Sequence, residues 1–306
     1  MKILVTGGMG HIGSKLVDKL TNDKKIKKIL IIDNFSNNKE NTILFLKNRK
    51  KIIFINQDLI KYRPKKKIKV DCVIHLASST NAEKSFDNKK KVLDNNILAT
   101  RNLLKIINKN TKILFSSSTS VYGSQYKLIN SKNNQENIYP QSPYAESKIL
   151  CENLIKKFSK NYCILRFGTI FGLSNGMRFH TAINKFCYQA IMKKKISIWR
   201  KFYKKKRPYL DLDDCIRSII FCINNDKTQN KTLDVVTVNL KVITIIKNLQ
   251  KLIKIKKKFV NTKILNQFSY EVESDELKKL KFSFKGNIMK NMEKIITKLK
   301  FNNEVY

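Results

Sequence analysis

Three glycines near the start of the chain, Gly7, Gly10 and Gly13, restrict the fold more than any other feature of the sequence. They follow a short apolar segment at residues 2–6 and precede an amphipathic segment that extends to about Leu20. Glycine permits a tight turn, a close approach of the backbone to a pyrophosphate and close packing of helix on strand. Because strand and helix flank it, the pattern predicts a dinucleotide-binding βα unit rather than an ordinary glycine turn.

An acidic residue stands where such a unit holds a ribose. A second apolar segment, residues 28–32, leads into Asp33 and Asn34, and Asp33 lies about 20 residues beyond the last glycine. A carboxylate at this place accepts hydrogen bonds from both ribose hydroxyls and repels a 2′-phosphate, which favours NAD over NADP. The alternative interpretation of Asp33 is local capping.

Apolar segments alternate with amphipathic ones through the first half of the chain. The next predicted strands are residues 51–56, 70–76, 112–116 and 162–166, and two long helices are predicted at residues 91–107 and 144–158. This alternation predicts an α/β protein with a doubly wound parallel sheet, a Rossmann fold. Ligands of such sheets bind at the carboxyl ends of the strands.

Tyr144 and Lys148 are four residues apart, so on a helix they share one face. An ammonium group near the Tyr144 phenol favours the phenolate and lowers the pKa of the phenol. Tyr144 is therefore a candidate general acid and base for alcohol and ketone chemistry. The pair alone is equally consistent with surface packing, because lysine is abundant in this chain.

The formal net charge is +40, yet 55 of the 63 basic residues are lysine and they are spread along the whole chain. This distribution favours a composition bias on solvent-facing positions over a nucleic-acid-binding groove, although a functional basic face is the alternative. We expect no nucleic-acid partner.

The six cysteines form no Cys-x-x-Cys pair and lie mostly in apolar segments, which predicts reduced core thiols and no metal site. The sequence contains no run of 18 apolar residues, and glycines follow the first strand too soon for a signal peptide. We therefore expect a cytoplasmic protein with no membrane partner.

Several motifs in order along the chain support one resemblance. They are Gly7-x-x-Gly10-x-x-Gly13, Asp33-Asn34, Asp58-Leu59, His75-Leu76-Ala77, Asn96, Ser116-Ser117-Ser118-x-x-Val121-Tyr122-Gly123, Tyr144-x-x-x-Lys148 and Arg207-x-x-x-Asp211-x-x-Asp214. Together, from residue 1 to about residue 220, they resemble the extended short-chain dehydrogenase/reductase family. More narrowly, they look like its nucleotide-sugar epimerases of the UDP-glucose 4-epimerase type.

The resemblance implies a set of site residues. The glycines would hold the NAD pyrophosphate, Asp33 the adenosine ribose, and Asp58 and Leu59 the adenine. The implied cofactor-binding residues are Gly7, Gly10, His11, Ile12, Gly13, Asp33, Asn34, Asp58, Leu59, Leu76, Ala77, Asn96, Ser116, Tyr144 and Lys148. The implied catalytic residues are Ser118, Tyr144 and Lys148. The candidates for substrate binding are Ser118, Thr169, Arg178, Asn184 and Arg207, of which Arg207 matches the family arginine that grips the nucleotide diphosphate.

Arg178, His180 and Asn184 are polar residues in an otherwise apolar segment, residues 177–192, that the sequence predicts to be a helix. Each is suited to facing a substrate, and each is equally suited to capping or packing. His75 ends a buried-type strand and is predicted to be a core histidine. Asp214 is predicted to cap or anchor the helix that continues to Asn224.

Three departures from the family pattern narrow the function. Related 4,6-dehydratases carry an Asp-Glu pair where this chain has Thr119 and Ser120, and related decarboxylases tend to carry Glu at the place of Ser120. Neither residue here can serve as acid or base for loss of water, so dehydration is set aside. Thr169 stands where the epimerases often place Asn, which weakens the transfer of sugar or phosphate contacts to it.

The resemblance implies NAD-dependent epimerisation of a nucleotide-diphosphate sugar at C4, by transient oxidation to a 4-keto intermediate, and it does not identify the sugar. The alternatives are a reductase or dehydrogenase with net redox turnover and, less in keeping with Ser118, Tyr144 and Lys148, a non-catalytic dinucleotide sensor. A homodimer is implied through the helices at 91–107 and 144–158.

The predicted NAD-binding domain is 1–166 with a returning segment of about 208–238, and 167–207 and 239–306 form a smaller C-terminal substrate lobe. In this last part the sequence predicts a strand at 232–238, a helix from about residue 242, an extended piece near 259–265, a short helix at 275–280 and a final helix at 287–299.

Overall fold

The computed structural model describes residues 1–36, 40–124, 128–261 and 270–300. In chain order the strands are β1 (Lys2–Thr6), β2 (Lys28–Asp33), β3 (Ile52–Asn56), β4 (Cys72–His75), β5 (Lys112–Ser118), β6 (Tyr162–Phe167), β7 (Thr169–Phe171), β8 (Ile196–Trp199), β9 (Lys206–Asp211), β10 (Lys231–Val235), β11 (Val238–Lys241) and β12 (Lys257–Val260). The helices are α1 (His11–Thr21), α2 (Lys89–Ile106), α3 (Pro143–Phe158), α4 (Ala182–Ile191), α5 (Leu212–Ile223), α6 (Val242–Leu252), α7 (Asp275–Lys279) and α8 (Ile288–Leu299).

Seven strands form one parallel sheet in the order β10-β6-β5-β4-β1-β2-β3. The chain builds outward from β1 to β3 and then returns to β4 on the other side of β1, so the direction of winding reverses between β1 and β4. In a doubly wound sheet this reversal opens a crevice at the carboxyl ends of the two strands. The predicted Rossmann-type α/β fold is confirmed.

Successive side chains along each central strand point to opposite faces of the sheet, and each face packs in its own apolar cluster. Ile3 and Val5 of β1 pack with α1 and α5 on one face of the sheet, whereas Leu4 packs with α2 and α3 on the other. Helices therefore cover both faces, and the buried strands read as nearly continuous apolar segments.

A second layer lies beyond the carboxyl ends of the central strands. It contains a three-stranded sheet of order β11-β9-β7, the two-stranded β12-β8 pair, and an apolar cluster shared by α4, α6 and α8. The chain passes between the layers at Gly168, whose N–H donates to Val235 O at 3.0 Å. The division into an NAD-binding domain and a substrate lobe stays a prediction, and β9 pairs in this second layer.

Four element predictions need adjustment. The helix expected at 177–192 begins only at Ala182, after an extended Thr181 with φ −80° and ψ 142°, so Arg178 and His180 lie on the preceding loop. The strand expected at 232–238 is divided, because β10 joins the central sheet and β11 joins β9. The strand expected at 70–76 is shorter, at Cys72–His75. The extended piece at 259–265 corresponds in part to β12, and residues 262–269 lie outside the described residues.

The predictions for the cysteines and for His75 are confirmed. All six cysteines are buried free thiols. His75 is a core residue that hydrogen-bonds Thr6 at 2.7 Å and Thr100 at 3.0 Å, and burial lowers its pKa to about 3. Among the helices in the described ranges, none is both long and apolar enough to cross a membrane. The same ranges contain no His, Cys, Asp and Glu cluster suited to a metal ion.

Candidate active site

The glycine-rich turn joins β1 to α1, and its three glycines have different surroundings. Gly7 has φ +69°, and a Cβ added there would lie 2.7 Å from Ala77 N. A Cβ on Gly13 would lie 2.4 Å from Gly7 O. A Cβ on Gly10 would meet only Gly7 O, at 3.4 Å. Gly7 and Gly13 are thus required by packing, whereas Gly10 borders open space at the start of α1.

The turn fits a dinucleotide on physical grounds. Gly10 is the N-cap of α1 and supplies no side-chain cap, so the first N–H groups of the helix point outward with their partial positive charge. Asp33 lies directly beside the turn, because its carboxylate accepts from Met9 N at 2.9 Å and from Phe35 N at 2.9 Å. Asn34 is exposed and accepts from Ser36 N at 3.1 Å. A pyrophosphate and a ribose suit this pair of features.

Asp58 and Leu59, the two residues predicted to contact adenine, make contacts within the protein. The Asp58 carboxylate accepts from Ile60 N at 2.8 Å, which shapes the turn after β3. The Leu59 side chain is buried in the core, and its carbonyl accepts from Asn102 at 2.6 Å. A contact of Leu59 with adenine would require a face of the side chain that the core does not cover.

Asn96 is also engaged with protein groups. Its side chain donates to Ser79 O at 3.1 Å and to Ser147 Oγ at 2.8 Å, and it accepts from Ser79 N at 2.7 Å. These bonds tie the loop after β4, which carries Leu76 and Ala77, to α2 and α3. Asn96 therefore shapes the loop that borders the crevice.

A segment that sequence reasoning missed covers the glycine-rich turn. His11 is buried and its Nδ1 lies 2.7 Å from Ser174 Oγ. Gly176 N donates to Ser14 Oγ at 3.1 Å, and a Cβ on Gly176 would lie 2.5 Å from Gly10 O. Gly176 is one of only nine glycines in the chain, and it is the sequence feature from which this close approach could have been predicted.

The predicted Tyr144–Lys148 pair lies on the first turns of α3, which Ser142 caps by accepting from Ala145 N at 3.2 Å. Lys148 is buried, and its ammonium donates to Ser116 O at 2.7 Å. The same nitrogen lies 5.7 Å from the centroid of the Tyr144 ring. Burial, as the largest cause, lowers the pKa of Lys148 to about 8.

Ser118 ends β5 and faces Tyr144. Its Oγ lies 2.7 Å from Ser120 Oγ and accepts from Ser120 N at 3.2 Å. The Ser118 hydroxyl also acts on Tyr144, where it lowers the pKa of the phenol. The structure thus brings the three predicted catalytic residues together at the carboxyl end of β5.

The electrostatics of Tyr144 differ from the expected arrangement. Burial raises the pKa of Tyr144 above its ordinary value, while the Ser118 hydrogen bond and the charge of Arg178 lower it in part. Lys148 was expected to lower this pKa, but its ammonium is directed to the Ser116 carbonyl. The expected lowering of the Tyr144 pKa is therefore not found, and the cation that acts on the phenol is Arg178 rather than Lys148.

The three polar residues of segment 177–192 have three different positions. Arg178 is half-buried and lines the cleft beside Tyr144. His180 is exposed at the cleft wall. Asn184 is fully buried, donates to Arg178 O at 3.0 Å and accepts from Gly172 N at 3.1 Å. Asn184 therefore positions the loop that carries Arg178.

Arg207 lies on β9 and faces the same cleft. Its guanidinium carbon lies 5.6 Å from the centroid of the Tyr270 ring, and the Tyr270 hydroxyl lies 3.2 Å from Thr119 Oγ1. Tyr270 belongs to no motif of the sequence, so sequence reasoning did not single it out. The predicted residues that line this one cleft are His11, Ile12, Leu76, Ser116, Ser118, Tyr144, Lys148, Thr169, Arg178 and Arg207.

A buried ionic network supports the site from behind. Glu152, two helical turns after Tyr144, forms two hydrogen bonds with Arg166 at 2.7 and 3.0 Å, and both side chains are at most 1 % exposed. Glu152 also accepts from Ser117, the neighbour of Ser118. The network therefore connects α3, which carries Tyr144, to the strand that carries Ser118.

Comparison with known proteins places these features in a family context. The family model described as the NAD dependent epimerase/dehydratase family matches residues 3–236. A dTDP-D-glucose 4,6-dehydratase of Dictyostelium discoideum is 31% identical over 250 residues, which are 75% of this chain and 57% of that protein. A putative UDP-glucose 4-epimerase of Methanocaldococcus jannaschii is 36% identical over 180 residues, 56% of each chain. The chain thus spans a little over half the length of these relatives.

Solved structures have the same fold over nearly the whole chain. A UDP-glucuronic acid 4-epimerase from Bacillus cereus, in complex with UDP-glucuronic acid and NAD, has a TM-score of 0.85 at 24% identity and covers 98% of this chain and 100% of its own. A UDP-N-acetylglucosamine 4-epimerase from Methanobrevibacter ruminantium, in complex with UDP-N-acetylmuramic acid, has a TM-score of 0.82 at 25% identity and covers 97% of each chain.

Proposed function

The chain belongs to the NAD dependent epimerase/dehydratase family, and on this premise we propose that it inverts a nucleotide-diphosphate sugar at C4 through a 4-keto intermediate. The observation that carries the proposal is the convergence of Ser118, Tyr144 and Lys148 on one cleft at the carboxyl end of β5, where the Lys148 ammonium donates to Ser116 O. A hydroxyl group of the sugar placed between Ser118 and Tyr144 is held by one residue and deprotonated by the other.

Each residue has a defined task in this reaction. Tyr144 removes the proton from the C4 hydroxyl and later returns a proton to the same oxygen. Ser118 hydrogen-bonds that oxygen and fixes its distance from the phenol. NAD, when bound, supplies the hydride acceptor for oxidation and the hydride donor for the return step. The raised pKa of Tyr144 keeps the phenol neutral until cations beside it favour the phenolate.

The NAD site is proposed at the glycine-rich turn. Gly10 leaves room for the pyrophosphate, the N-terminus of α1 faces it, and Asp33 lies at the position that suits a ribose. Lys148, whose ammonium lies 5.7 Å from the centroid of the Tyr144 ring, would bind the nicotinamide ribose. Since oxidation and reduction alternate in each turnover, we expect one tightly held NAD and no net consumption of it.

Two details separate epimerisation from the activities of other family members. Thr119 Oγ1 donates to Phe167 O at 3.3 Å, and Ser120 Oγ is engaged with Ser118. Neither hydroxyl titrates near neutral pH, so neither serves as the acid or base that elimination of water requires. A reductase with net redox turnover is the second candidate, because it would use the same Ser118 and Tyr144.

The first experiment compares the wild type with Tyr144→Phe and with Tyr139→Phe, an exposed tyrosine 63% accessible. Each protein is denatured to identify the released dinucleotide, and native samples are incubated with UDP-, GDP-, CDP- and dTDP-sugars. We expect bound NAD in all three proteins and sugar interconversion without net absorbance change at the NADH band. Tyr144→Phe should lose roughly 100- to 10,000-fold in turnover, and Tyr139→Phe almost none.

Two results would contradict this function. Full activity of Tyr144→Phe would remove the proposed base. Steady production or consumption of NADH, with an empty cofactor site in the purified protein, would instead establish the reductase.

We also propose a homodimer, since α2 and α3 pack side by side and leave Leu98 and Leu150 each about 40% exposed on their outer face. A monomer in light scattering at micromolar concentration would contradict it.

A further inference from the structure

The cleft beside Tyr144 contains more positive charge than a neutral sugar requires. Its basic side chains are Lys148, Arg178, Lys185 and Arg207, whereas Glu83 is the single carboxylate on its described lining. A nucleotide diphosphate offsets part of this charge. The remaining charge is concentrated at the catalytic end, where Arg178 acts electrostatically on both Tyr144 and Lys148.

Arg178 has no protein partner for its charge in the described ranges. No hydrogen bond or ion pair joins its guanidinium to another group there, and burial lowers its pKa while the Tyr144 oxygen raises it in part. Arg178 is half-buried at the cleft wall, and a ligand that fills the cleft would withdraw its charge from water, which is costly unless the ligand supplies a partner. Such a residue is explained most simply by an anion that arrives with the ligand.

The position of Arg178 is fixed by the fold. Its carbonyl accepts from Asn184, which is fully buried and is itself bonded to Gly172 at the end of β7. The loop that carries Arg178 is therefore held between β7 and the first turn of α4. The guanidinium reaches the cleft from a backbone that is already in place.

Other cationic groups are better placed for the diphosphate. Arg207, on β9, lies beside the Tyr270 ring, and Lys185 lies on the first turn of α4. Thr181, the N-cap of α4, makes no side-chain cap, so N–H groups of this ten-residue helix also face the cleft. With the phosphates at these groups, Arg178 is left for the sugar.

The chemistry of the reaction indicates which part of the sugar Arg178 meets. Tyr144 acts on the C4 hydroxyl in the proposed function, and the neighbouring ring carbon, C5, carries the C6 group. In a hexuronate, C6 is a carboxylate two bonds from C4. Arg178 and Tyr144 line the same cleft, so a sugar whose C4 hydroxyl meets Tyr144 presents its C6 group within the cleft that Arg178 lines. The planar fork of a guanidinium suits two carboxylate oxygens.

We propose that Arg178 binds a carboxylate of the sugar and that the substrate is a nucleotide-diphosphate hexuronate. The proposal rests on the proposed function for the orientation of the sugar. A neutral hexose would leave the guanidinium withdrawn from water without a partner, so the site discriminates against it. The selectivity is built into one side chain that the motifs of the active site do not include.

Binding is measured first, in the Tyr144→Phe background, so that catalysis plays no part. Titration calorimetry with UDP, GDP, CDP and dTDP selects the base. The Kd values are then compared for that nucleoside diphosphate, its glucose conjugate and its glucuronic acid conjugate. We expect the glucuronic acid conjugate to bind roughly 100-fold more tightly than the glucose conjugate. Arg178→Gln should remove most of this ratio and Arg178→Lys only part of it.

The matched control is Arg200→Gln, an exposed arginine outside the cleft lining, for which the ratio should not change. The same panel is then assayed for turnover with active Tyr144. There the ratio of kcat/KM values for hexuronate over hexose should fall roughly 100-fold in Arg178→Gln.

Each contrary result has a distinct meaning. Equal weakening of the bare nucleoside diphosphate would assign Arg178 to the phosphates and overturn the proposal. Equal loss of turnover for both sugars, with unchanged Kd values, would assign it to Tyr144 and also overturn it. A wild type that does not prefer the hexuronate overturns it without any variant. Selective hexuronate binding without epimerisation would leave this inference standing and refute the proposed function instead.

Discussion

Arg166 and Arg178 carry guanidinium groups that have opposite surroundings. Arg166 on β6 is fully buried and bonded to Glu152, to the Tyr122 hydroxyl and to Asn134 O. Burial opposes its charge, but the hydrogen bonds that Arg166 donates to Glu152, together with the charge of Glu152, outweigh burial, so the pKa of Arg166 is raised. Burial lowers the pKa of Arg178, which faces the cleft.

This difference indicates that Arg166 stabilises the fold, whereas Arg178 is available to bind a ligand. The Arg166–Glu152 pair closes on itself and joins α3 to the strand of Ser118 through Ser117, so it fixes the distance between Ser118 and Tyr144. Arg178 is held by its backbone alone, and its charge remains available. We infer that a buried cation with a full set of partners maintains the fold, whereas one without them awaits a ligand.

The largest expected effect on the free energy of unfolding comes from breaking the buried Arg166–Glu152 ion pair. Glu152→Gln removes the negative charge and leaves Arg166 buried without it, which should lower the free energy of unfolding by roughly 3–5 kcal/mol. The measurement is urea unfolding followed by circular dichroism. The matched control is Glu271→Gln, because Glu271 pairs with Lys206 at 2.9 Å on the surface, with side chains 37% and 42% exposed. That variant should lose at most about 1 kcal/mol. Equal losses in the two variants would mean that a buried ion pair contributes no more to the free energy of unfolding than a surface pair does.

Lys148 is intermediate between the two arginines in how well its charge is partnered. It is buried like Arg166, but its ammonium has a single carbonyl partner, Ser116 O. Its pKa is lowered from 10.5 to about 8. Between these values the unfolded chain binds more protons than the folded one, so this residue makes stability rise with pH. The penalty is full below pH 8 and vanishes above about pH 10.5. Its size is up to about 3 kcal/mol.

Lys148→Met, prepared without cofactor, should therefore unfold less readily than the wild type at pH 7. The difference should shrink as the pH is raised from 8 to 10, and loss of the hydrogen bond to Ser116 reduces it by about 1 kcal/mol throughout. Denaturant unfolding at four pH values measures it. A difference that does not change with pH would show that Lys148 has an ordinary pKa and would place it with Arg166.

Local patterns explain why much of the fold was predictable. The glycine-rich turn, the strand–helix alternation and the Tyr144–Lys148 spacing each depend on residues that are close in sequence. The seven-stranded sheet and the convergence of Ser118 with Tyr144 follow from them. Helix α4 was misjudged, because apolar residues continue before it while the backbone at Thr181 is extended.

The remainder depends on contacts between distant segments. Ser117 and Glu152 are 35 residues apart, and Tyr122 and Asp234, which are hydrogen-bonded, are 112 apart. No periodicity encodes such contacts. The sequence named Arg178 and Asn184 together as polar residues of one segment, but only the tertiary structure separates a side chain in the cleft from one that supports its loop.

The smallest expected effect completes the comparison between the two arginines. Arg178→Gln removes a charge that burial disfavours and that no described group compensates, so the free energy of unfolding should change by less than about 1 kcal/mol. Urea unfolding under the conditions used for Glu152→Gln measures it. A loss as large as that of Glu152→Gln would mean that the folded chain itself supplies a partner for the guanidinium. Arg178 would then belong with Arg166 as a support of the fold, and the anion that we assign to the sugar would not be needed to explain it.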